Sequence, residues 1–86
     1  MKTLTKTKTE KVEVMALFGY EMTPCQPLNF RRRGDKHETE VTELLRSHVH
    51  FAGQVVMHVF DVLVGHEQMQ LEFNSNDLSW HLTQSA

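Results

Sequence analysis

The clearest regularity along the chain is the alternation of apolar and polar residues in its last third. Met69, Leu71 and Phe73 alternate with Gln68, Gln70, Glu72 and Asn74, the period-two pattern of a strand with one buried face. After the turn-forming cluster Ser75, Asn76 and Asp77, the pattern resumes: Leu78, Trp80 and Leu82 alternate with Ser79, His81 and Thr83. Upstream, residues 54–64 read QVVMHVFDVLV, valine-rich and apolar on both faces. That run predicts a central strand covered on both sides, ending in a turn at Gly65–His66. Three strands joined by such short turns form an antiparallel meander, because a parallel crossover needs about a dozen residues or more.

The first half is patterned less regularly. Val12, Val14, Ala16, Phe18 and Tyr20 recur at period two and predict a strand over residues 11–20, with Met15 and Leu17 partly buried on its second face. Residues 21–27, EMTPCQP, hold both prolines, Pro24 and Pro27, and read as a connection. Leu28 and Phe30 share one face of a short strand running to Arg33, which a turn at Gly34–Asp35 ends. Residues 36–51 fit two descriptions. Val41, Leu44, Leu45 and Val49 have helical spacing, and Asp35 with Glu38 is spaced as a capping box. The β-branched Thr39, Val41 and Thr42 favour a strand, and a bulge near Leu44–Leu45 would reconcile the facing. The strand is the preferred reading.

The expected fold is therefore mainly β: one antiparallel meander of five or six strands, curled into a small open barrel. The alternative is an α+β domain with one helix near residues 37–47. Residues 1–10 alternate Lys and Thr around a single Leu4 and read as a flexible tail or an edge strand; residues 11–86 form the domain.

Composition narrows the class further. At 86 residues, a folded chain buries only about 60–65% of its unfolded surface, so its margin of stability is thin. Hydrophobic residues at 40% and charged residues at 23% fit an ordered globular domain. A net charge of −2 gives the whole chain no pull toward nucleic acid. The single cysteine, Cys25, cannot form an intrachain disulfide. The fold must then rest on its core or on a partner subunit, and the free thiol suits a reducing compartment. Residues 1–11 lack the apolar run of a signal peptide, and no segment approaches a membrane span. The expectation is a soluble, cytoplasmic protein with no membrane partner.

Pro27, Phe30 and Gly34, then Val41 with Glu43, then the apolar run ending at Gly65, then Leu71 and Trp80–Leu82, together make a pattern that resembles a group of small bacterial β domains, themselves functionally uncharacterised. The resemblance covers residues 12–82. It implies a compact curled sheet with strand between Gly34 and Gly53, and it carries over no site residues.

Three constellations offer chemistry. Among the six histidines, His48 and His50 share a face if they lie on a strand, and His58 could oppose them across a hairpin centred on Ala52–Gly53. Three imidazoles on one face leave a metal position open for water, although two histidines at i and i+2 arise readily by chance. Arg31 and Arg33, with Lys6 and Lys8 of the tail, form a candidate nucleic-acid surface, with Lys2 and Lys11 nearby. Arg32 points to the opposite face, and Asp35, Glu38, Glu40 and Glu43 partly cancel the field. Cys25 between its prolines reads as an ordinary loop thiol. No Gly-rich phosphate loop, CxxC pair or nucleophile elbow is present. The expectation is no catalysis and no cofactor. Exposed strand edges and a thin core favour a binding or accessory module that engages a protein partner or itself, with nucleic-acid binding and then the histidine metal site as alternatives.

Overall fold

The computed structural model describes residues 7–20 and 23–85. Among the described residues there are seven strands: β1 (Thr7–Tyr20), β2 (Thr23–Arg31), β3 (Thr39–Glu40), β4 (Glu43–Ala52), β5 (Val55–Val64), β6 (Glu67–Asn74) and β7 (Ser79–Ser85). No described residue is helical, so residues 37–47 follow the strand reading and not the helical one. The strands form one antiparallel sheet in the order β3-β2-β1-β7-β6-β5-β4, curled into an open half-barrel. The count exceeds the expected five or six because the segment after Gly34 divides into the short β3 and the long β4.

That division follows from the curl. Thr39 and Glu40 pair with β2, whereas Glu43 onward pairs with β5. Between them, the Val41 amide donates to the Leu28 carbonyl at 3.0 Å and the Thr42 amide to the Leu63 carbonyl at 2.8 Å. Two adjacent residues thus bond to strands near opposite ends of the sheet order and draw the two edges together at this corner. The irregularity expected near Leu44–Leu45 is present as a register shift between Leu44 and Arg46, and it puts Leu44 on the same, core-facing side as Ser47 and Val49 while Arg46 opposes Asp61 on the other.

The meander β5-β6-β7 is the most regular part. Gly53 and Gly65 sit first in the two-residue turns that join β4 to β5 and β5 to β6, with φ of 66° and 65°. A type II′ hairpin turn demands that conformation, and a side chain there would be strained. Across the sheet, Phe60, Leu71 and Leu82 stand in one row, and Phe73, Trp80 and Val12 in the next. All six are buried. Phe60 and Phe73 pack on Trp80 with ring centroids 5.7 and 4.9 Å away. Val62, Met69, Cys25 and Phe30 complete this inward face.

Several expectations for the first half are corrected. Residues 7–10 belong to β1 and pair with β7, with no residue of β2 opposite them on the other side. Residues 1–6, including Lys6, lie outside the described residues. The stretch with Pro24, Cys25 and Pro27 is not a connection but part of β2. An edge strand tolerates proline where the missing donor faces outward, and among the described residues only the two-residue β3 lies beyond β2. β2 ends at Arg31, so Arg33 belongs to the turn that follows. Met15 and Leu17 are exposed, not partly buried, because no described element covers the second face of the β1–β2 ribbon. Leu78 is exposed too, although the alternation placed it inside. It precedes β7 in a turn where Asn74 Oδ1 accepts from the amides of Asn76 and Asp77, and the Leu78 amide donates to the Asn74 carbonyl.

Candidate functional site

The hairpin anticipated around Ala52–Gly53 forms, and its register decides the fate of the histidines. His48 opposes Val59 and His50 opposes Met57, while His58 opposes Val49. Directly opposed residues share a face and neighbours alternate. His48 and His50 therefore stand on the convex face, their rings 6.2 Å apart, and His58 stands on the concave face against Phe73, at 6.0 Å. The three are not brought together. His50 Nε2 lies 3.7 Å from Glu72 Oε2 instead. Among the described residues, no three His, Cys, Asp or Glu side chains are grouped to hold a metal ion.

The basic cluster is likewise divided. Arg31 faces Glu13 across β1 and β2 and donates to its Oε1 through Nε at 3.2 Å and a terminal nitrogen at 2.7 Å. The bond to Glu13, with that carboxylate's charge, raises the arginine pKa. Arg32 turns to the other face, donating to Gln84 Oε1 with Glu10 Oε1 3.8 Å from its Nε. Arg33 is exposed in the turn, and Lys8 lies on β1 opposite Gln84. A cavity of about 800 Å³ lies here, but Glu10, Glu13 and Asp35 line it beside Lys11 and the three arginines. Mixed charges of this kind largely cancel at the distance of a phosphate backbone.

Cys25 is buried in the core, and burial pushes its thiol up to about 11. That keeps it protonated at neutral pH, the form in which a thiol is a poor nucleophile.

Beyond the sequence candidates, one surface stands out: the strand β4. It ends the sheet order, and of its ten residues only Leu44 is not exposed. The closing pair Ala52–Val55 of a two-residue hairpin exchanges hydrogen bonds, as does every second pair after it, His50–Met57 and His48–Val59. Ser47, Val49 and Phe51 therefore turn their N–H and C=O groups outward. The β5–β6 hairpin, closed by Val64–Glu67, gives the same phase: it directs Val62, Phe60 and His58 toward β6, which leaves Val59 and Met57 for β4.

On the concave side this edge is apolar. Val49 is 48% exposed and Phe51 70% exposed, and Phe18, itself exposed, packs edge-on against Phe73 at 5.7 Å across the same opening. Between Leu44 and Ala52 the only fixed charge is Arg46, which donates to Asp61 Oδ2 at 2.8 Å. Proline and lysine, the usual guards of an edge, are absent from β4. Sequence reasoning missed this surface because a strand's place in the order depends on distant pairings. The available signal was the apolar pair Val49 and Phe51 on a segment lacking a buried partner set.

No protein-family model matches the chain, and neither a curated protein nor a solved structure matches it. Among the described residues, no helix is long and apolar enough to cross a membrane.

Proposed function

We propose that this protein is a non-catalytic binding module that accepts an extended polypeptide strand along β4. The observation that carries this reading is a long edge strand whose outward amides and carbonyls, at Ser47, Val49 and Phe51, meet no neighbouring strand among the described residues. Unpaired strand edges recruit another chain by main-chain hydrogen bonds, with side chains on alternate positions adding apolar contact. Val49 and Phe51 supply that contact on the concave side. Nucleic-acid binding is the weaker reading, because Glu13 already holds Arg31 and acidic residues line the adjoining cavity.

Backbone amide NMR with a panel of short β-branched peptides tests the reading, at a concentration where the chain is monomeric. The expected result is shift changes at Ser47, Val49 and Phe51 and slowed exchange of those amides. Changes confined to the Arg31–Asp35 turn, or none on β4, would overturn it.

A further inference from the structure

We infer that a second copy of this chain occupies the β4 edge, pairing β4 to β4 in antiparallel fashion about a two-fold axis at Val49. This rests on the strand-addition reading and names its partner.

The first ground is that, of the two strands at the ends of the sheet order, β4 alone among the described residues offers a long run of outward groups for pairing. At the other end, β3 covers Asn29 and Phe30, and the Leu28 carbonyl already accepts from Val41. Pro24 and Pro27, three residues apart on a regular stretch, face opposite edges of β2, so one of them removes an outward donor. A head-to-tail contact, β4 of one copy on β2 of the next, would meet that missing donor and the short β3. β4 on β4 uses one patch twice and closes at two copies.

The second ground is self-complementarity. With Val49 opposite Val49 of the second copy, Ser47 falls opposite Phe51, and the outward groups of all three residues pair in about six main-chain hydrogen bonds. The apolar side chains of both copies then lie together on the concave face. Arg46 falls opposite Ala52, and its guanidinium is already engaged by Asp61, so no fixed like charges meet. The third ground is where the cavities lie. Strand-adding modules that choose foreign peptides read alternate side chains in pockets. Among the described residues, the two most pronounced cavities are lined by β1, β2 and the residues after β2, with no β4 residue in either.

Sedimentation across a concentration series, paired with amide exchange, tests the inference. The wild-type chain is expected to pass from one to two chain masses, with exchange at Ser47, Val49 and Phe51 slowing in step. Val49→Pro removes a donor that β5 does not use, and Val49→Lys places a charge on the axis opposite its own copy. The lysine variant should raise the dissociation constant about 30-fold or more, and the proline variant should remain monomeric. Circular dichroism of both should match the wild type, and Arg33→Glu should dimerise normally. If proline perturbs the fold, the lysine variant alone decides. A wild-type monomer at every concentration would overturn the inference, as would assemblies larger than two, or dimers indifferent to Val49→Lys. If that monomer still binds peptides through the same amides, strand addition survives and only its partner is wrong; if it binds none, both readings fall.

Discussion

Leu78 shows how one residue can depart from the pattern around it. Its φ is 61°, the only positive value at a non-glycine position among the described residues. That conformation costs an L-residue about 1–2 kcal/mol. The turn imposes it: Asn74 gathers the amides of Asn76, Asp77 and Leu78, and Asp77 Oδ1 accepts from the Ser79 amide at 3.0 Å and hydroxyl at 2.6 Å. Those bonds, the hydroxyl first, hold the Asp77 carboxyl below its ordinary range. Asparagine tolerates this backbone region far better, and Leu78 contributes no burial. Leu78→Asn is therefore expected to raise the melting temperature by about 4 °C or more in a calorimetric scan; an unchanged or lower value would mean that the exposed leucine makes a contact worth the strain.

At the scale of elements, the convex face ties three strands through one carboxylate. Asp61 of β5 accepts from Arg46 of β4 at 2.8 Å and from Gln70 of β6 at 3.1 Å. The bond from Arg46, aided by that from Gln70, outweighs burial and lowers the Asp61 pKa. Because the folded value lies below the unfolded one, about 3.9, the carboxylate's contribution to stability is complete above the unfolded value. It is lost as pH falls through the folded value. Wild-type stability should thus decline in acid more steeply than that of Asp61→Asn, which has no such proton to bind. Chemical denaturation at a series of pH values between neutrality and strong acid measures this; parallel curves would remove Asp61 from the account. The same scale explains the edges. β2 carries prolines and a short covering strand, whereas β4 carries neither, and this asymmetry makes β4 the surface of interest.

For the whole molecule, the pairing of β1 with β7 joins the first and last described strands, and the step at Val41–Thr42 links the two sides of the sheet. The core formed inside this curl is small, and Trp80 is its centre, packed on both Phe60 and Phe73. Trp80→Ala should cost about 3–5 kcal/mol, most of the stability of a domain this size. Urea unfolding monitored by far-ultraviolet circular dichroism would show it as a largely unfolded chain; a midpoint close to wild type would place Trp80 at the periphery. Pairings of such long sequence separation also predict slow folding for the size of the chain.

What could be read from the chain itself followed from strict alternation. Met69, Leu71, Phe73, Trp80 and Leu82 point into the core as their period demanded, and the bulge beside Leu44–Leu45 fell where the β-branched residues and the helical-looking spacing conflicted. Period two, turn chemistry and short connections are local properties, so they fix strands, hairpins and facing without knowledge of the rest. The order of strands is not local. That β1 sits between β2 and β7, that Pro24 and Pro27 lie in a strand, that His58 faces away from His48 and His50, and that β4 is left with an open edge were decided only when distant segments paired. A one-residue step in register reverses a face, and a change of neighbour turns a covered strand into an exposed one, so the open edge of β4 exists only at the level of the folded sheet.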